Sequence, residues 1–461
     1  MVTVTGTLPA DILSLKETSP PESTSETFAP LPENPWTRPV GEAALSTFSV
    51  DVDTASYSIV RRCLVEQGRL PPRDAVRLEE LVNWFDWDYA PPAGADPFAV
   101  HLEAAACPWE PAHRLVRVAL KGRVVEEAER PAANLVFLLD VSGSMDQPNK
   151  LPLVQRSLEL LAGRLDARDR VSIVVYAGAS GLVLPPTRGD DRAAIRAAVA
   201  NLRAGGSTNG GAGIELAYRI AEENLIPGGI NRVLLATDGD FNVGVTDPAA
   251  LVSLVEEKAK SKVFLTALGF GMDNLKDATL ERLADRGNGN YAYVDDLAEA
   301  RKVLVEQGMS TLHAIAKDVK IQVEWNPAQV AGYRLLGYEN RLLAAQDFAD
   351  DAKDAGEIGA GHSVTAFYEV VPFGREVPGG AVDGLRYQRP AEGTGSLETL
   401  TVKLRWKEPE GEASTLREIP FVDAGGSFDG ASGEFRFAAA VAEWALLLRG
   451  SRFAGSASLD A

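Results

Sequence analysis

Three short stretches of the chain gather oxygen-bearing side chains at the ends of apolar runs. In NLVFLLDVSGSM, Leu135 to Leu139 lead without polar interruption into Asp140, and Ser142 and Ser144 then alternate with Val141 and Gly143. A run of that kind reads as a strand buried on both faces, and a tight loop after it would bring one carboxylate and two hydroxyls to a single point. A second apolar run, NRVLLATDGD, breaks at Thr237, Asp238 and Gly239 and places another carboxylate at a strand end. Between the two lies GGSTNGGAGI, residues Gly205 to Ile214, whose glycines allow close backbone approach and whose Ser207 and Thr208 offer hydroxyls. Carboxylates and neutral hydroxyls, with no His in any of the three loops, suit a hard divalent cation. Mg2+ in particular takes oxygen ligands at roughly 2.0 to 2.1 Å in near-octahedral order.

Elements of alternating type must hold these loops. After the strand ending at Asp140, Leu151, Val154, Leu158, Leu161 and Leu165 recur at helical spacing, with Pro152 in the first turn. Strand Arg170 to Tyr176, an edge strand Gly181 to Leu184, and helices Asp191 to Leu202 and Gly213 to Leu225 follow. Strand Arg232 to Ala236 precedes a helix begun by Asp247 and Pro248, a cap and first-turn pair. Strand Lys262 to Leu268, helix Asp277 to Asp285, strand Asn290 to Val294 and helix Leu297 to Ile315 complete residues 132–316. The pattern predicts an α/β unit with a doubly wound, mostly parallel six-stranded sheet. In such sheets ligands collect outside the carboxyl ends of the strands, where all three loops would meet.

Both flanks read as β-rich. Phe98 to Cys107 and His113 to Val125 alternate before the α/β unit; Val319 to Trp325, Tyr333 to Tyr338, Ser363 to Val371 and Glu398 to Trp406 do so after it. Two or three strands do not make a stable sheet alone. The expectation is therefore one sandwich-like domain assembled from residues 36–131 and 317–449, with the α/β unit inserted and a closing helix at Phe435 to Leu448. Residues 1–35 read as a disordered leader and 450–461 as a small polar tail.

The 461 residues are too many for one ordinary core. A net charge of -19 argues against nucleic acid or an anionic membrane surface as partner, since both draw affinity from Lys and Arg. A bound cation would still make a local anion site on such a surface. Cys63 and Cys107 have no C-x-x-C spacing, and their pairing is left open; His101, His113, His313 and His362 are scattered and read as packing or surface residues rather than zinc ligands. No apolar run reaches the roughly 20 residues of a bilayer span, and Phe437 to Leu448 is broken by Glu443. Met1 to Pro35 carries no legible signal peptide.

Asp140-x-Ser142-x-Ser144, a Thr in a Gly-rich loop and an apolar strand ending in Thr-Asp-Gly together resemble the metal-ion-dependent adhesion site of von Willebrand factor type A domains, whose sheet is Rossmann-like. The resemblance implies that Ser142, Ser144 and Thr208 ligate the ion directly or nearly so, that Asp140 and Asp238 hold it mainly through water, and that the sixth position is left for an acidic group of a partner. The flanking segments STFSVDVDTASYSIVRRCL, LPPRDAVRLEELVNWFDWDY, YRLLGYENR and FRFAAAVAEWALLLRGS are similar to those around the A domain in bacterial YfbK-like proteins of this class. Members of that family commonly carry export or lipoprotein signals, which favours a periplasmic or cell-surface setting over a cytoplasmic one; no such signal is legible in this sequence, so localisation stays open.

The function expected is that of a divalent-cation-dependent protein-binding module, for adhesion or complex assembly, with Mg2+ (or Mn2+ or Ca2+) engaging a partner's Asp or Glu. No catalytic residues are expected. One alternative is a metal-dependent hydrolase or phosphatase using the same pocket or the Asp51/Asp53 pair, which follows a short apolar run; capping and turn formation is the simpler role for those two carboxylates. The other is a scaffold whose metal only braces loops. Oligomeric state and the identity of the partner are not legible.

Overall fold

The computed structural model describes residues 26–50, 53–177, 180–206, 210–239, 247–272, 275–307, 313–353, 355–379 and 395–458. Along the chain, β1 (Leu45–Ser49) precedes two short helices, α1 (Ala55–Arg61) and α2 (Leu78–Asn83), and the hairpin of β2 (Phe98–Ala106) and β3 (Arg114–Gly122). The α/β unit begins with β4 (Ala133–Asp140), α3 (Leu151–Ala162), β5 (Arg170–Tyr176), β6 (Ser180–Arg188) and α4 (Arg192–Ala200). It continues through α5 (Gly210–Glu223), β7 (Ile230–Thr237), α6 (Pro248–Ala259), β8 (Phe264–Phe270), α7 (Asp277–Arg286), β9 (Tyr291–Val294) and α8 (Leu297–Arg301). Strands β10 (Ala314–Trp325), β11 (Val330–Leu336), β12 (Leu342–Leu343), β13 (Ile358–Gly359), β14 (Ser363–Pro372), β15 (Leu400–Lys407) and β16 (Ser414–Phe421) follow, and α9 (Gly433–Arg449) comes last.

The inserted sheet runs β6-β5-β4-β7-β8-β9, parallel except for the antiparallel edge strand β6. β4 and β7 lie at its centre and are buried at every residue, because helices cover both faces. Leu135, Phe137 and Leu139 face α3 and α4, whereas Val136 and Leu138 face α5 and α7. Gly213 lets α5 settle close: a Cβ there would lie 2.9 Å from the Tyr176 Cβ and 3.1 Å from Leu138 Cδ1. As expected, Asp247 caps α6 by accepting from Ala249 and Ala250.

The flanks together form two antiparallel sheets. One has the order β12-β1-β10-β15-β16, with β13 pairing β10, and the other β11-β14-β3-β2; strands from before and after the insertion are neighbours in both. Their inner faces share a core of Phe48, Val118, Ile321, Trp325, Tyr368 and Val402. The outer face of the second sheet is covered by α2 and α9 through Leu81, Val82, Phe435 and Ala442. Helix α1 and the π-type turn after it face the other way and bury Ala55, Ile59 and Cys63 against the A-domain core, so the flank is one packing layer of the inserted unit.

Several expectations need correction. The helix from Leu297 does not reach Ile315: α8 ends at Arg301, a π-type turn covers Lys302–Glu306, and Ala314 opens β10. Ile315 is buried in the sandwich and Ala314 and Ala316 pair with β13, so strand pairing overrides the helical spacing there. Strand β16 went unread because it is an exposed edge carrying Arg417, Glu418 and Pro420, and a proline is tolerated where no further strand needs its N–H. Residues 26–35 are not loose leader: Asn34 donates to the carbonyls of Leu335 and Gly337, and Glu26 pairs with Arg62. Residues 1–25 lie outside the described residues.

Candidate metal centre

Because β4 and β7 are parallel neighbours with Leu139 opposite Ala236, Asp140 and Thr237 emerge level with each other at the carboxyl ends of the two central strands. Asp140 is fully buried, and its carboxylate is held from two directions. Oδ1 accepts the Ser142 N–H at 2.9 Å, and Oδ2 accepts the Thr237 hydroxyl at 3.0 Å. Ser142 Oγ and Ser144 Oγ lie 3.0 Å apart, the first buried and the second exposed. Burial raises the Asp140 pKa to about 6, against the lowering effect of its hydrogen bonds from Ser142, and the nearby charge of Asp238 raises it further. Thr237 was noted in the sequence only as the end of a strand. In the structure its hydroxyl also accepts the Gly239 N–H at 3.0 Å, which fixes the turn that presents Asp238. Gly239 has φ +88°, and a Cβ would lie 2.8 Å from the Lys276 nitrogen, so only glycine fits.

The glycine-rich loop joins the same rim. Gly205 N donates to Val141 O at 2.7 Å, and Gly143 N donates to Gly206 O at 3.1 Å, so backbone bonds tie that loop to the Asp-x-Ser-x-Ser turn. Thr208 itself, with Ser207, lies outside the described residues, as does Asp240. The structure therefore brings Asp140, Ser142, Ser144 and Asp238 to one end of the sheet. Two carboxylates and two hydroxyls, with no nitrogen or sulfur donor among them, fit a hard divalent cation. One member was missed by sequence reading. Lys150, the residue before α3, reaches across to Asp238 and places its Nζ 3.0 Å from Oδ2, with both side chains buried (3% and 0% exposed). A lone lysine before an apolar helix gives no signal of such a reach.

A second acidic group has a different character. Carboxylate oxygens of Asp53, Glu80 and Glu281 all lie within 4.8 Å of one another, and all three residues are buried. Arginines occupy the space among them. Arg77 contacts Glu80 and Glu281, each at 3.1 Å, and Arg341 contacts Asp53 at 3.0 Å. Asp53 Oδ1 also accepts the Tyr291 N–H at 2.7 Å. Asp53 thus joins the flank to β9 and is not a local cap; Asp51 lies outside the described residues. Cys63 and Cys107 are separate, buried free thiols.

A doubly wound sheet with an Asp-x-Ser-x-Ser turn on one central strand and Thr-Asp-Gly on the next defines a von Willebrand factor type A domain protein. Residues 134–306 match the family described as von Willebrand factor type A domain, and residues 22–117 match one described as von Willebrand factor. Residues 310–461 match "Uncharacterized protein YfbK, C-terminal". The chain is 46% identical to YfbK of Escherichia coli over 436 residues, which covers 92% of this chain and 74% of that protein. The chain belongs to the YfbK family.

More distantly, it is 31% identical to human inter-alpha-trypsin inhibitor heavy chain H4 over 48% of this chain and 25% of that one, so the chain spans about a quarter of that relative. A von Willebrand factor type A structure from Catenulispora acidiphila is 20% identical over 78% of this chain and 80% of that one, with a TM-score of 0.45. Among the described residues no helix is long and apolar enough to cross a membrane.

Proposed function

We propose that the chain is a divalent-cation-dependent protein-binding module, serving adhesion or complex assembly. Asp140, Ser142, Ser144 and Asp238, with Thr208, would hold the ion, which we take to be Mg2+ with Mn2+ or Ca2+ as substitutes. When bound, the ion supplies a positive centre that attracts an Asp or Glu of the partner. The chain's own residues do the rest. Thr237 and the Ser142 N–H orient Asp140, and the exposed Ser144 marks the side from which a partner approaches.

The observation that carries this reading is the position of two carboxylates and two hydroxyls on adjacent parallel strands at the carboxyl edge of the sheet, where α/β folds bind their ligands. Binding is favoured over hydrolysis at the Asp51/Asp53 pair because Asp53, the described member of that pair, has each oxygen engaged by a protein donor. Calorimetric titration with Mg2+ should give saturable heat for the wild type and none for Asp140→Ala. The protein should also be retained on immobilised Asp- or Glu-bearing peptides but not on matched Asn or Gln peptides, and chelator should release it. Equal heats for wild type and variant, or retention indifferent to chelator, would exclude the reading.

A further inference from the structure

We propose that Lys150 is a built-in competitor of the divalent cation: its ammonium and the ion contend for Asp238. The inference rests on the metal-binding reading above and adds a regulator of affinity to that site. Three observations carry it. The Lys150 Nζ lies 3.0 Å from Asp238 Oδ2, and both side chains are shielded from water. The lysine backbone is anchored at the start of α3, its N–H donating to Gln147 O and its carbonyl accepting from Val154, so the side chain leaves from a fixed point. A channel has been kept open for its stem. Gly271, just beyond the end of β8, has φ +81°, and a Cβ there would fall 2.2 Å from Lys150 Cε and 2.7 Å from Cγ.

A lysine that merely filled space would not need its amine on the carboxylate assigned to the ion. Two cations drawn to one buried carboxylate repel each other with little water between them, so uptake of the divalent ion must weaken or displace the ammonium. The same pair gives Asp238 a partner at low metal concentration. The protein thus trades a tethered monovalent charge for a free divalent one, and its apparent affinity is lower than the oxygen donors alone would give.

Calorimetry with Mg2+ on wild type, Lys150→Met, Lys150→Gln and Lys150→Arg tests this. Methionine keeps most of the stem and removes the charge; glutamine serves if the methionine variant fails to fold. Both neutral variants should bind Mg2+ about tenfold more tightly or better, whereas Lys150→Arg should stay near wild type. In chelator the neutral variants should melt below the wild type, and saturating Mg2+ should raise their melting temperature by more than it raises the wild type's. In the unmutated protein, Mg2+ should increase labelling of Lys150 by an amine reagent, read by mass spectrometry. Neutral variants that bind Mg2+ equally or more weakly, or Lys150 labelling that Mg2+ leaves unchanged, would overturn the competition while leaving the metal site standing. If neither wild type nor neutral variants take up Mg2+, both proposals fall.

Discussion

Arg77 of the flank and Asp277 at the first turn of α7 form an ion pair in which the two side chains are 1% and 0% exposed. The same guanidinium meets Glu80 and Glu281, so one arginine neutralises carboxylates from both the flank and the inserted unit. The inserted domain is therefore bound to its host by buried charge as well as by the apolar face of α1. A buried ion pair adds little when complete, but removal of one partner strands the other. Arg77→Met should cost about 3–5 kcal/mol of folding free energy. The check is the urea midpoint of the full chain; a loss under about 1 kcal/mol would mean that the carboxylates repartner without Arg77.

A neighbouring residue gives a pH dependence. Glu79 is buried, and burial, followed by the charges of Glu339 and Glu80, raises its pKa to about 8. Its folded value thus lies above the ordinary carboxylate value, so between those two pH values the folded chain holds a proton that the unfolded chain has released. This contribution to stability is complete below about pH 4.5 and is lost as pH rises through about 8. Glu79→Gln keeps the shape and abolishes the titration. The variant should lose less stability than the wild type between pH 5 and pH 8, by a difference of order a few kcal/mol. Parallel denaturation curves across that range would place the wild-type charge in contact with water instead.

The contrast between Asp238 and Lys150 explains what was legible in the sequence and what was not. Leu135 to Leu139 announced β4 because a strand buried on both faces must be apolar throughout, and Thr-Asp-Gly announced the end of β7 because polar groups cannot continue into that core. The joining of both flanks into sheets was likewise readable, since the two strands legible before the insertion need partners from beyond it. Lys150 contacts a residue 88 positions away, and Arg77 one 200 away; neither leaves a periodic trace. The start of β10 and strand β16 are illegible in the sequence for a related reason. Their states are set by pairing partners, and local residues such as Ile315 and Pro420 read equally well otherwise.

Gly213 links packing to the site. It lies in the first turn of α5, at the end of the glycine-rich stretch, and its missing side chain lets the helix approach Tyr176 and Leu138 within 3.1 Å of where a Cβ would stand. Gly213→Val should push the helix outward, costing about 1–3 kcal/mol by overpacking. The loop at Gly205–Gly206 would move with it, so Mg2+ affinity should fall as well. Calorimetry and thermal melts of the same variant test the coupling: a lower melting temperature with unchanged affinity would show that the loop is positioned independently of α5.

Thr237 offers the sharpest separation of orientation from ligation. Its hydroxyl donates to Asp140 Oδ2 and accepts the Gly239 N–H, both at 3.0 Å, and so connects the carboxylate of one loop to the turn that presents the other. Thr237→Val preserves shape and removes both bonds. The Gly239 amide would lose its acceptor, which costs about 1–3 kcal/mol when buried. Residues that orient metal ligands typically account for 10- to 100-fold in affinity, so Mg2+ binding should weaken by roughly that factor without being abolished, whereas Asp140→Ala should abolish it. Thr237→Ser, which retains the hydroxyl, should restore most of the affinity. If valine and serine behave alike, the hydroxyl has no part in holding Asp140, and the ligand set would have to position itself through the Ser142 N–H alone.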